Sequence, residues 1–235
     1  MADKTETRKS DESKEIITTD VFIDYYNRIK GENDTIEIVC DKERQVKGID
    51  VILNYKGKKY TIDLKANTDY INQEKPLWSF VQEITTLNNN GAPMIGWLLN
   101  TNLENEYLSF LWIDKTKDGK LTCAEDIESA EIAIVKKEKI INYLANLGMT
   151  RDLLLSIAFD LRYHNGENVE ALTDGKYKAV SQYGRIYVGN KYKDGFGIVF
   201  SKTEKDEQPV NVMVPRKVLI GLSEIHNKIT PDFIY

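Results

Sequence analysis

Cysteine and histidine are scarce in this chain of 235 residues, with two of each, and proline occurs five times. Cys40 and Cys123 stand far apart and form no CxxC pair, so neither a disulfide framework nor a cysteine-rich zinc site is expected; both read as reduced thiols. Two histidines, His164 and His226, exclude a three-histidine zinc centre and disfavour a Ser-His-Asp arrangement. The longest apolar stretch, Met94 to Asn100, is far too short to span a bilayer, which predicts no membrane partner. The opening Met-Ala-Asp-Lys-Thr-Glu is charged and lacks the apolar centre of a signal peptide, so a cytoplasmic location is expected. Strong basicity is missing as well. The net charge is −5, unlike a protein that coats nucleic acid. The excess acid lies in residues 66–150, which leaves room for a basic face elsewhere.

What is present is the composition of a globular protein, 41% hydrophobic and 29% charged. Residues 1–17 are mostly charged or polar and read as a solvated tail. Phe22, Tyr25, Tyr26 and Ile29 follow at helical spacing, predicting an amphipathic helix over Thr18–Ile29 that Gly31 ends. Alternation predicts strands at Thr35–Val39, Ile49–Asn54 and Lys59–Leu64, and a helix is expected over Trp78–Leu87, stopped by Asn88-Asn89-Asn90-Gly91. Met94–Leu99 and Tyr107–Ile113 read as strands. Helices follow over Lys136–Leu147 and Arg151–Leu161, parted by Gly148, with Thr150 as cap. The last part shows strands at Arg185–Val188, Gly195–Phe200 and Asn211–Val214, then a helix after Pro215. A domain over 18–164 and a small α+β extension over 165–235 are the expected division.

The chemistry concentrates in Gly48–Lys65. If Lys56-Gly57 is a two-residue turn, Val51 faces Ile62 and Leu53 faces Tyr60, with Ile49 against Leu64, so one face is apolar. A one-residue slip would turn that face to water, which pins the register. The same register sets Asp50 opposite Asp63, with Cβ atoms about 4.5–5.5 Å apart. Like charges so close repel, and a divalent cation between them removes the conflict. Lys65 leaves the same face as Asp63 and could steady an anion or an attacking water. Two carboxylates, a lysine and a metal are the parts of metal-assisted phosphodiester hydrolysis. A charged, solvated hairpin is the plainer account of the same residues.

Asp50, then Asp63-Leu64-Lys65, resembles the D…(D/E)xK signature of the PD-(D/E)XK, restriction-endonuclease-like superfamily, with Gly48-Ile49-Asp50 in place of its proline-aspartate. The texts Trp78-Ser79-Phe80, Gly96-Trp97-Leu98-Leu99-Asn100 and Phe110-Leu111-Trp112-Ile113 resemble uncharacterised bacterial and phage members. The resemblance covers roughly residues 18–115. It implies an α/β fold with an αβββαβ core and a mixed sheet, and a nuclease acting on DNA, or on RNA, with Mg²⁺ or Mn²⁺. It further implies Asp50, Asp63 and the Leu64 carbonyl as metal ligands and Lys65 as helper of the nucleophilic water. Asp20 or Asp24 would be an added acid from the first helix, and Glu83 or Gln82 a polar residue from the helix after the motif. A homodimer would serve to cut two strands. Gln45 and Lys47 could touch phosphate or face water. The alternative is a non-catalytic nucleic-acid-binding or scaffold protein on the same fold.

Three other segments compete. Asp114–Glu125 approaches a calcium-loop pattern, but Thr116 breaks it and a plain turn explains Asp118-Gly119 equally. His164-Asn165-Gly166 lacks the spaced partners of a His-Asn nuclease motif. Tyr177, Tyr183, Tyr187 and Tyr192 interleave with Lys176, Lys178, Arg185, Lys191 and Lys193, a pattern that could stack on bases and grip phosphates, or simply be a hairpin with half-buried tyrosines.

Overall fold

The computed structural model describes residues 4–68, 70–74, 77–88, 90–201 and 207–230, with side chains from residue 16 onward. In chain order the elements are α1 (Lys4–Ile29), β1 (Thr35–Ile38), α2 (Lys42–Val46), β2 (Val51–Tyr55), β3 (Lys58–Asn67), β4 (Ser79–Leu87), β5 (Pro93–Ile95), β6 (Tyr107–Thr116) and β7 (Ile127–Lys136). Next come α3 (Lys137–Asn146), α4 (Arg151–His164), α5 (Val169–Leu172), β8 (Ala179–Gln182), β9 (Arg185–Val188), β10 (Gly197–Ser201), β11 (Val210–Pro215), α6 (Arg216–Leu222) and β12 (Ser223–Ile229). They form two compact units. Residues 1–77, 104–136 and 223–235 make the first, and residues 78–103 and 137–222 the second. The units therefore do not divide at residues 164–165, and the chain end returns to the first unit.

The first unit is a mixed six-stranded sheet in the order β1-β2-β3-β6-β7-β12, in which only β3 and β6 run parallel. Alternation drives it. Val51 and Leu53 on β2, Tyr60 and Ile62 on β3 and Ile132 and Ile134 on β7 turn to one face and are buried against Val21, Phe22, Tyr25 and Tyr26 of α1. Two adjacent tyrosine hydroxyls near the helix C-terminus tie it to the sheet: Tyr26 donates to the Asn54 carbonyl at 2.7 Å and Tyr25 to Asn227 Oδ1 at 2.7 Å. The helix begins well before Thr18, so residues 4–17, expected as a tail, are helical.

The second unit is an antiparallel sheet in the order β5-β4-β11-β10-β9-β8. Beside it Thr150 caps α4 as expected, accepting from the Leu153 N–H at 3.3 Å. The helix expected over Trp78–Leu87 is strand β4. Phe80, Gln82 and Ile84 are buried while Val81 is exposed, a period of two, and Val81, Ile84, Thr85 and Thr86 are β-branched. The Asn-rich segment after it is a hairpin turn, where Asn88 Oδ1 accepts from Asn90 and Ala92 N–H groups at 2.9 Å. Of the expected Met94–Leu99 strand only Met94 and Ile95 pair, within β5, because the chain bends back at Gly96. There the Gly96 N–H donates to the Ile84 carbonyl at 2.8 Å, and a Cβ would lie 2.6 Å from the Glu83 carbonyl oxygen. Among the described residues no helix lies between β3 and β6, so the second helix of the αβββαβ order is absent. The fold is mixed α/β with two sheets.

Candidate active site on the β2–β3 hairpin

Lys56 and Gly57 carry φ values of 50° and 76°, the left-handed pair that a tight two-residue turn needs and that glycine adopts without strain. The turn fixes the register Tyr55 to Lys58, Leu53 to Tyr60 and Val51 to Ile62, as the alternation predicts. Asp50 and Ile49 depart from the expectation. Both precede β2, and Ile49 packs with Val39 and Ile52 in a small cluster apart from the main core, not against Leu64.

That departure gives Asp50 a defined posture. Its N–H donates to the Ile62 carbonyl at 2.9 Å, while its Oδ2 accepts the Leu64 N–H at 2.8 Å. The carboxylate is thereby held at the edge of β3. Asp63 leaves the face opposite α1 and is buried, with 4% of its surface exposed. The Lys65 ammonium stands 2.7 Å from Asp63 Oδ1. Burial pushes the Asp63 carboxyl up to about 6; Lys65 opposes that shift, and the charge and hydrogen bonding of Asp50 add to it. The two aspartates and the lysine thus form one coupled cluster. Leu64, between them, turns its half-buried side chain towards the α1 core.

The remaining candidates are placed elsewhere. α1 covers the Ile62 face, whereas Asp63 and Lys65 leave the other, so neither Asp20 nor Asp24 is presented beside Asp63. Asp20 is exposed and Asp24 pairs with Arg28 at 2.6 Å. Glu83 is on strand β4 of the second unit, beside Asn211 of β11, and the helix expected to carry it does not form. Gln82 is fully buried in that same strand, and neither atom of its amide has a hydrogen-bond partner among the described residues. Gln45 donates to the Val39 carbonyl at 3.0 Å, and Lys47 pairs with Glu104 at 3.0 Å, so both serve the local structure.

The calcium-loop pattern lies between paired strands β6 and β7, not between helices. His164 is exposed, 3.2 Å from Asp160, and Asn165 takes the left-handed cap position of α4. One pairing was not foreseen. Glu131 on β7, 6% exposed, meets His226 Nε2 on β12 at 2.7 Å. Their register aligns His226, Ala133, Phe110 and Lys65 across one sheet face. Recognising β12 as the end strand of the first sheet would have found it, through the alternation of Ile225, Asn227 and Ile229.

The donor set suits a hard cation: one carboxylate just ahead of β2 and one on β3, the second raised chiefly by burial with the charge of the first adding to it, a conflict that a dication relieves. Among the described residues no group of three or more His, Cys, Asp or Glu side chains is gathered to hold a metal ion. None of the described helices is long and apolar enough to cross a membrane. No family model, curated protein or solved structure matches this chain.

Proposed function

We propose that the β2–β3 hairpin is the centre of a Mg²⁺-dependent nuclease that hydrolyses phosphodiester bonds, in DNA first and RNA second. The observation that carries the reading is the coupled cluster of Asp50, Asp63 and Lys65, with Asp63 buried and its carboxyl pushed up to about 6. The meander β1-β2-β3 followed by parallel β6, with α1 on one face, supports a restriction-endonuclease-like core. Asp50 and Asp63 would hold the metal, with the Leu64 carbonyl between them. Bound there, Mg²⁺ would polarise the phosphate and lower the pKa of a water. Asp50, held by the Leu64 N–H, would supply one of the ligands. Lys65 balances the ionised Asp63 and can turn to the phosphate or the attacking water once a dication takes over that balance. Two such centres in a homodimer would serve to cut both strands.

The test is cleavage of plasmid and oligonucleotide in Mg²⁺ or Mn²⁺. Asp63→Asn is expected to lower the rate by about a thousandfold or more while the fold is retained; unchanged cleavage refutes the assignment. The second reading, a nucleic-acid-binding or scaffold protein without catalysis, is favoured by the closed Asp63–Lys65 pair and by the lack of a third acid beside it among the described residues. Titration calorimetry separates the two, because metal binding that disappears in Asp50→Ala, Asp63→Ala supports the nuclease.

A further inference from the structure

The second unit carries a surface that the hairpin chemistry does not use. On β8 and β9 the pairing Val180 to Tyr187 and Gln182 to Arg185 sets these four side chains on one face, with Ile186 and Val188 buried on the other. After β9 the chain turns through 190–195. Asn190 Oδ1 accepts the Tyr192 N–H at 2.9 Å, and Asp194 Oδ2 accepts the Asn190 N–H at 2.8 Å. This bracing presents Tyr192 to solvent with 73% of its surface exposed. Tyr187, Tyr192, Lys178, Lys191, Val180 and Gln182 line one groove of about 290 Å³. That is close to the lower limit of small-molecule sites, a size for nucleobases and not for a folded partner.

The charge of this strip runs against that of the chain. Residues 176–193 contain Lys176, Lys178, Arg185, Lys191 and Lys193 and no Asp or Glu, in a protein of net charge −5. Lys178 is paired with Glu170 at 3.1 Å, and Asp194 is occupied within its turn. The Lys191 ammonium lies 2.9 Å from Ser79 Oγ and 5.2 Å from the centre of the Tyr192 ring, with no carboxylate in pairing range among the described residues. Aromatic faces open to solvent beside fixed cations are what a flexible polyanion with planar groups requires: bases stack on the rings and phosphates meet the ammonium groups.

We propose that this groove of the second unit, with Tyr187 and Tyr192 as stacking faces and Lys191 as a phosphate contact, binds single-stranded nucleic acid. The assignment goes beyond the hairpin and holds whether or not the hairpin cleaves. Binding of a fluorescein-labelled oligothymidylate of about 20 nucleotides to the full chain, read by anisotropy in EDTA, tests it. Tyr187→Ala and Tyr192→Ala are each expected to weaken binding by about 5- to 100-fold, and Tyr192→Phe to retain it, since the ring and not the hydroxyl stacks. Lys191→Ala should lower the slope of log affinity against log salt by about 0.7. Melting by circular dichroism confirms that each variant is folded. Alanine variants that bind like wild type would overturn the proposal, and so would a wild type that ignores the oligonucleotide and retains polyglutamate, the mark of an acidic polypeptide partner. EDTA silences metal-dependent cleavage, so a failed nuclease assay leaves this result standing and a successful one cannot rescue it.

Discussion

Two buried polar side chains, one in each sheet, have opposite company. Asp63 on β3 is held by the Lys65 ammonium and faces the Asp50 carboxylate. Gln82 on β4 is more completely buried, yet its amide nitrogen and oxygen have no partner among the described residues. Burial alone therefore does not mark a site. A buried polar group whose own protonation is set by the charges beside it can do chemistry, whereas one without partners only costs stability.

The comparison is sharpest through pH. In the metal-free protein the Asp63 carboxyl lies at about 6, above its ordinary value of 3.8. A raised carboxyl binds its proton more tightly in the folded state, so its contribution favours folding below about pH 4 and is lost as pH rises through about 6. Above that, the ionised, buried group costs on the order of 3 kcal/mol relative to an ordinary aspartate. Asp63→Asn in EDTA is thus expected to raise the melting temperature at pH 8 and to do little at pH 4. Equal effects at the two pH values would show that Asp63 titrates normally. Metal binding to the wild type should weaken below pH 6 for the same reason, because protons compete for the ligand.

The second sheet is constrained by a close approach where the first carries a conflict of charge. At Gly96 a methyl group would meet the Glu83 backbone at 2.6 Å, and backbone cannot step aside as a side-chain tip can. Gly96→Ala is expected to cost about 1–3 kcal/mol in denaturant unfolding. A neutral result would mean that the β4–β5 edge moves as a loose flap. Gln82→Met keeps the approximate volume and removes the two unpartnered atoms. It should stabilise the protein by about 1–2 kcal/mol, read as a higher denaturant midpoint; destabilisation would show that the amide has a partner in solution and belongs with Asp63 after all.

Legibility in the sequence followed the distance along the chain over which contacts are made. The β2–β3 hairpin is local, its turn sits in the text as Lys56-Gly57, and its register from Val51 and Ile62 to the turn could be counted from residues alone; Asp50, one residue ahead of β2, does not take the cross-strand place counted for it. Thr150 and α4 were legible in the same local way. The second sheet joins distant segments at one place, β4 beside β11 with Gln82 facing Val212, so that pairing had no neighbour in sequence to announce it, whereas β9, β10 and β11, which pair with strands next to them in the chain, were legible. Strand β4 was open to a helical reading because its inward positions include Gln82, a polar residue where alternation should show an apolar one. Glu83 was misplaced by the same error. Strand β12 completes the first sheet from the end of the chain, which hid both the division into units and the Glu131–His226 contact.

The smallest expected effect lies at the rim of the hairpin and bounds what the cluster within it is worth. Lys47 and Glu104 pair at 3.0 Å, both side chains more than a third exposed, and Lys47 could be taken from sequence for a phosphate contact or for solvated surface. In high dielectric such a pair contributes little, because the ordering of two long side chains and salt screening offset most of the attraction. Lys47→Ala should therefore shift the denaturant midpoint barely at all, and less still in high salt. If it instead lowered nucleic-acid affinity measurably, Lys47 would belong to the substrate path leading to Asp50, three residues on, and the boundary drawn between scaffold and site on this hairpin would move outward by one strand end.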